Sequence, residues 1–354
     1  MLHRRTIRHR SALCLTAVTA LTLTGCGFAT GEESASGGES GSGDCAEVTL
    51  RLATIRTDDD PTTIAAQSFA DAVDEATDGQ VTVQVFPNSQ LGDANDLFAG
   101  MASGQDVDMF YEGISLYPTL EGASDFAVVS VPFMWDSYEQ FKAVLETDRY
   151  QELLDQAAEA TGVRVVATAG DAEPRALSAN RPIRTADEMA GLKLRIADAP
   201  MPQAFATALG AEPTVVPFSD LYLALRQGVV DGQENGAITM VNQSLFEVQP
   251  YFMPTNYIRD VRSWYVSDQV WGGLCADQQD AIVEEANAAG DVATEEVATQ
   301  LEEAMTALEG SIEVVEPDVE SFRTALEGTF EQFDGELWQE GLLEETRQLA
   351  EENR

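Results

Sequence analysis

Residues 191–235 read GLKLRIADAPMPQAFATALGAEPTVVPFSDLYLALRQGVVDGQEN. Leu192, Leu194 and Ile196 alternate with Lys193 and Arg195, which predicts a short strand. Met201 to Leu209 has helical spacing and Thr214-Val215-Val216 reads again as strand. Ser219 is placed to cap a helix over Asp220–Gln227, and Val229-Val230-Asp231 follows directly. Strand and helix in turn is the pattern of an α/β protein with a mainly parallel sheet. The alternation puts Arg195 at the C-terminal end of its strand, and in open α/β sheets ligands sit outside those ends. A guanidinium there offers a planar two-donor fork that fits a carboxylate.

The same alternation extends upstream. Val48–Thr54 and Gln80–Phe86 read as strands around a helix at Thr62–Thr77, whose apolar positions are Ile64, Phe69, Val73 and Ala76. Pro87-Asn88 closes the second strand. A helix over Ala94–Ser103, a strand over Val107–Tyr111, one amphipathic helix over Ser137–Glu159 and a strand over Val163–Ala169 complete a first set. A second set begins at Arg175. Downstream, Ile282, Ala286, Ala289, Ala293, Val297, Leu301, Ala304 and Leu308 hold a helical period from Asp277, the expected N-cap, to Gly310. Such a helix is about 48 Å long, enough to join two lobes.

Charge excludes several functions. The 354 residues carry 20 Lys and Arg against 61 Asp and Glu, a net charge of −41. A nucleic-acid binder needs a basic face, and a polybasic membrane patch needs the same. Neither exists in a chain whose only lysines are Lys142 and Lys193. Both histidines, His3 and His9, precede the folded part, so no imidazole is available for a catalytic triad or a His-ligated metal. Thr57-Asp58-Asp59-Asp60 invites a calcium reading, but no ordered set of six to eight oxygen ligands continues from it, and no metal is expected. With cations scarce, the ordinary expectation for each arginine is a nearby carboxylate partner. Arg195 is the exception, because of its strand end.

The N-terminus reads as an address. Arg4, Arg5, Arg8 and Arg10 precede an apolar run over 11–25 that is shorter than the roughly 20 residues a membrane span takes, the pattern of a secretory signal over 1–25. The run ends Leu23-Thr24-Gly25-Cys26, which resembles the lipobox of bacterial lipoproteins, with Cys26 acylated and the mature chain held at the outer face of the cytoplasmic membrane. Without residues 1–25, 16 cations face 61 acids, a net −45. Residues 26–44 are Gly-, Ser- and Glu-rich and predict a flexible tether reaching about 23 Å. Once Cys14 is cleaved off and Cys26 acylated, Cys45 and Cys275 remain. An exported chain favours a disulfide between them, with two separate buried thiols as the alternative.

Three segments now carry a resemblance. Gly191–Arg195, Ala208–Leu225 and Gly228–Asn235 closely resemble the core of the extracytoplasmic solute-binding proteins of tripartite ATP-independent periplasmic (TRAP) transporters, the DctP-like family. Pro87–Gly92 and Val131-Pro132-Phe133 match the same family earlier in the chain. The resemblance implies a two-lobed α/β fold of the periplasmic-binding-protein type, with hinge strands and a long helix spanning both lobes. Lobe I is then 45–169 plus 261–300, and lobe II is 170–260 plus 301–354. It implies capture of a small organic acid between the lobes and delivery to a TRAP membrane permease, without cofactor.

Residue by residue, the family's carboxylate-binding arginine falls on Arg195 and a second arginine on Arg175. The aromatic wall falls on Phe218, the turn amide on Asn235 and a polar strand residue on Glu112. Alone, Phe218 reads as core, Arg175 and Asn235 as an ion pair and a strand end, and Glu112 as solvated; the resemblance moves all four to the cleft. Where sialic-acid-binding relatives carry asparagine this chain has Asp198, a charge that argues against sialic acid. Asp198 and Glu112 are expected to meet a cationic or hydroxylated part of the ligand. Trp135 and Tyr111 are further candidate walls. The alternatives are a binding protein of an ATP-driven transporter, or a hydrolase with paired carboxylates, which would lack any Gly-x-Ser-x-Gly elbow.

Overall fold

The computed structural model describes residues 45–354. The leader over 1–25, the tether over 26–44 and Cys26 lie outside the described residues. In chain order the first elements are β1 (Val48–Ala53), α1 (Pro61–Ala76), β2 (Val81–Phe86), α2 (Ala94–Ser103), β3 (Met109–Gly113), α3 (Tyr138–Leu145), α4 (Asp148–Thr161) and β4 (Val163–Asp171). Then come β5 (Arg175–Ala179), β6 (Lys193–Ile196), α5 (Pro200–Ala208), β7 (Glu212–Val215), α6 (Leu221–Arg226), β8 (Gly232–Gln233), α7 (Ala237–Asn242) and β9 (Tyr251–Ile258). The chain ends with β10 (Val261–Ser267), α8 (Asp268–Trp271), α9 (Ala276–Glu309), β11 (Glu313–Val314), α10 (Val319–Leu326) and α11 (Leu342–Glu352).

Two sheets result, ordered β2-β1-β3-β10-β4 and β11-β9-β5-β8-β6-β7. Each has a parallel part built by βαβ units: β2, β1 and β3 in the first, β8, β6 and β7 in the second. The sheets are mixed rather than mainly parallel. β10 runs antiparallel between β3 and β4, and β5 pairs antiparallel with β8 and β9. The physical reason is the crossing. The chain passes between sheets directly from β4 to β5 and returns from β9 to β10, so the crossing strands lie antiparallel to each other in both sheets. This is the two-lobed architecture, with the short segments 172–174 and 259–260 at the hinge.

Local chemistry accounts for the elements that frame the hinge. Asp60 caps α1 by accepting from the Thr62 amide, and Pro61 occupies the first turn, where its missing N–H costs nothing. Asp93 caps α2 in a reciprocal box with Asp96. The first lobe's core buries Phe69 against Trp264, which in turn stacks on Tyr111.

Helix α9 is 34 residues, about 51 Å. It packs on α1 and β4 in the first lobe and reaches α7 and β11 in the second. Its close approach to β4 depends on Gly290, where a Cβ would collide with that of Ala169. A Cys45–Cys275 disulfide ties the residue ahead of β1 to the start of α9, across a sequence separation of 230.

Four expectations shift. The N-cap of α9 is Cys275, boxed with Gln278, not Asp277. Ser219 lies inside a 3₁₀ turn at Phe218–Asp220, which passes the N-cap position of α6 to Asp220. The helix expected over 137–159 is two helices, broken where Thr147 becomes extended and its hydroxyl turns back to the Val144 carbonyl. Finally, α10 packs on α5, but α11 returns to the first lobe: Tyr150 bonds Thr346, and the Gln140 amide donates to the Ala350 carbonyl. The tail therefore does not lie wholly with lobe II.

Candidate functional site

β6 is short, and its Leu194, Arg195 and Ile196 are all buried because β7 and β8 flank it and helices cover it. Arg195 is 3% exposed. Its Nε donates to the Val216 carbonyl at 2.9 Å, and among the described residues no carboxylate pairs with its terminal amino groups. They border a cavity of about 220 Å³ between the lobes. Arg56, Asn95, Glu112 and Ser115 line it from the first lobe, Arg175, Asp198, Phe218 and Asn235 from the second. Arg195, Arg175, Phe218, Asn235, Glu112 and Asp198 thus all line one cavity, whereas the two further candidate walls do not.

Their bonding separates them. Arg175, at the start of β5, makes a two-pronged pair with Glu234, with contacts of 2.6 and 2.5 Å, and Glu234 also accepts from the Tyr257 hydroxyl. Burial alone would lower the pKa of Arg175, but the Glu234 charge and hydrogen bonds outweigh it and hold the guanidinium above its ordinary value. Arg195 has only the longer-range pull of Glu234 against burial and the repulsion of Arg175 and Arg56, and its pKa falls from 12.5 to about 10. It is still a cation at neutral pH, but one whose charge is poorly compensated.

Glu112 is not free. It takes Arg56 at 2.7 and 3.0 Å and Arg262 as well, so its charge is already spent on two guanidinia and is not available to meet a cationic ligand. Asn235 lies in the turn after β8, where its amide group donates to Gln233 and its carbonyl receives a 3.4 Å contact from Arg175. That turn is held by Glu173, which accepts from the amides of Ile238 and Thr239 at the start of α7. Phe218, in the 3₁₀ turn after β7, lies with its ring centroid 4.8 Å from the Arg56 guanidinium and 6.0 Å from that of Arg195. Asp198, just past β6, accepts from Asn95 at the N-terminus of α2 at 3.0 Å, a hydrogen bond across the cleft.

Two expected walls are core instead. Tyr111 stacks on Trp264 and donates to the Ala169 carbonyl, while Trp135 stacks on Phe141 and donates to the Val129 carbonyl. Both satisfy their polar atom locally, which large buried aromatics require. Conversely, Arg56, Asp93, Asn95, Ser115 and Asp260 all lie on the cavity wall without having been expected there. Arg56 and Arg262 carry a usable signal, a cation within or beside an apolar strand in a chain poor in cations. The others carry none, because their placement depends on how the lobes meet.

Residues 52–336 match the family described as DctP, bacterial extracellular solute-binding protein, family 7. A solute-binding protein of Roseobacter denitrificans is 32% identical over 243 residues, 69% of this chain and 73% of that one. The C4-dicarboxylate-binding periplasmic protein DctP of Rhodobacter capsulatus is also 32% identical, over 70% of this chain and 75% of its own. Among solved structures, a TRAP periplasmic solute-binding protein of Roseobacter denitrificans with bound L-galactonate superposes with TM-score 0.78 and 29% identity, over 87% of this chain and 99% of that one. The sugar-acid-binding protein DctPAm of Advenella mimigardefordensis, in complex with galactonate, has TM-score 0.81 and 25% identity, over 88% of this chain and all of its own. With the motifs, the two-sheet fold and this match in agreement, the chain belongs to the DctP family, the extracytoplasmic solute-binding proteins of TRAP transport.

Proposed function

We propose that the cleft captures a small organic carboxylate outside the cytoplasm, that Arg195 fixes the carboxylate, and that the loaded protein passes it to a TRAP-type permease. The observation that carries this reading is the isolation of Arg195, a nearly fully buried cation facing the cavity with no carboxylate of its own among the described residues. An uncompensated buried charge is costly, and a carboxylate seated in its fork removes the cost through two charge-assisted hydrogen bonds. Arg175 and Asn235 brace the seat, and Phe218 walls it. Relatives support the choice of an acid: two solved ones hold galactonates, and a third is named for C4-dicarboxylates.

Because both lobes line the cavity, a ligand that bridges them has full affinity only for the closed state and so drives closure. The moving bodies are lobe I, 45–169 plus 261–300 with α11, and lobe II, 170–260 plus the rest of 301–354. The chain is a binder and not an enzyme, so the acid it takes up is recovered unchanged. Calorimetry with the acid that most raises the melting temperature tests the reading. Arg195→Ala is expected to weaken binding by about two to three orders of magnitude. A folded variant that binds within about threefold of the parent overturns it.

The mature chain is further proposed to begin at a lipid-bearing Cys26, on the strength of Leu23-Thr24-Gly25-Cys26 and the polar tether that follows. Cells expressing Cys26→Ser should release the protein from the membrane fraction. Retention as firm as the parent's places the anchor elsewhere.

A further inference from the structure

The relatives leave open which acid this cleft takes, since proteins of equal similarity are associated with a dicarboxylate and with a sugar acid. The charges on the cavity wall discriminate between the two. Four carboxylates line it: Asp93, Glu112, Asp198 and Asp260. Glu112 is matched by two arginines. The other three make no ion pair among the described residues and are held by neutral donors only. Asp93 accepts from the amides of Asn95 and Asp96, Asp198 from the Asn95 side chain, and buried Asp260 from the Ser115 hydroxyl and the amides of Ser115 and Val261. Against these stands one buried guanidinium without a carboxylate among the described residues, Arg195.

Asp198 lies three residues past Arg195, at most about 10 Å along an extended chain. The cavity therefore offers a cationic seat at Arg195 and an acidic, hydrogen-bonding side where Asp93, Asn95 and Asp198 come together from both lobes.

We infer that Asp198, with Asp93 and Asn95 across the cleft, restricts the ligand to acids that carry one carboxylate and hydroxyl groups along the rest of a short chain. The inference rests on Arg195 holding the carboxylate. A second carboxylate directed away from Arg195 meets the like charges of Asp198 and Asp93 at the exposed rim of the cavity, where repulsion is weakened by water but not abolished. Ser115 and Thr119 already donate to Asp260 and to the Leu116 carbonyl, but an unsubstituted aliphatic acid gives Asp198 and Asn95 nothing beyond the bond they make to each other, and a site that hydrogen-bonds hydroxyls rejects an analogue that lacks them. An α-amino acid carries its ammonium beside its carboxylate, next to Arg195 and Phe218, and not at Asp198. Ligand hydroxyls fit this side, donating to the remaining lone pairs of Asp198 and Asp93 and accepting from the second Asn95 amide hydrogen.

The test uses matched pairs that differ only at the far carbon: D-galactonate against galactarate and D-gluconate against D-glucarate, with succinate and 6-aminohexanoate alongside. Each is titrated calorimetrically into the purified full chain. At least one hexonate should bind, and its diacid should bind at least about tenfold more weakly. Asp198→Asn, which keeps an oxygen to accept from Asn95 but removes the charge, should narrow that gap by about tenfold. The inference is overturned if a diacid or succinate binds as tightly as the best hexonate, if 6-aminohexanoate binds best, or if neither hexonate binds. Repeating the best titration with Arg195→Ala separates the two readings. Lost affinity there leaves the carboxylate seat standing with a different selectivity, and unchanged affinity removes the seat as well.

Discussion

Two strands of the second sheet each bring an arginine to the same cavity and treat it in opposite ways. On β5, Arg175 meets Glu234 in a two-pronged pair that Tyr257 completes. On β6, Arg195 donates to a backbone carbonyl and pairs with no carboxylate among the described residues. Arg195 is buried, and Arg175 is half-buried beside its fully buried partner Glu234. The difference is in what each would lose without a ligand. Arg175 is complete on its own, whereas Arg195 is, on our proposal, completed by the ligand. In a chain with 61 acids, a buried arginine without a carboxylate among the described residues is the reason we propose a seat for an external one.

This contrast is sharpest in stability. Glu234→Ala leaves the half-buried Arg175 without its carboxylate and should destabilise the protein by about 2–4 kcal/mol, read from urea unfolding. Replacing both partners with apolar residues of similar volume should recover most of that loss. A cost below about 1 kcal/mol for the single change would mean that the pair is solvated in solution, as surface pairs are.

Arg195→Met should behave in the reverse sense. It removes a buried cation and keeps the bulk, so the ligand-free protein should melt no lower than the parent, while affinity falls by about two to three orders of magnitude. A large fall in melting temperature without ligand would show that Arg195 is structural, like Arg175. The smallest effect is expected at Phe218. Phe218→Leu keeps an apolar wall but removes the ring beside Arg56 and Arg195. The loss should be about tenfold in affinity, within the usual range of about 0.5–2 kcal/mol for a cation–π contact. A loss as large as that of Arg195→Met would move the main anchor to the aromatic face.

Much of the lobe architecture is legible in the residue pattern. The alternation in Gly191–Ile196 predicts β6 and Arg195 at its C-terminal end, and the apolar spacing from Ile282 to Leu308 predicts α9 to within two residues. Both signals are local, arising from which side chains face the core within a few residues. Boundaries set by competing backbone bonds are not legible. Thr147 breaks a helix whose apolar pattern runs through it, and Phe218–Asp220 tightens into a 3₁₀ turn ahead of α6. The return of α11 to the first lobe is not legible either, since its apolar face fits either lobe and the chain between is long enough to reach both.

The sequence by itself determined the alternation of strand and helix, the strand-end placement of Arg195, the absence of histidine from residues 45–354 and the family motifs. Each of these is carried by residue identity over a short span. Only the tertiary structure decided which arginines were already matched. Glu112 is 56 residues from Arg56, Glu234 is 59 from Arg175, and Asn95 is 103 from Asp198. Whether a buried charge is satisfied depends on groups within a few ångströms in space, and in this chain those groups arrive from strands and lobes that only the hinge brings together.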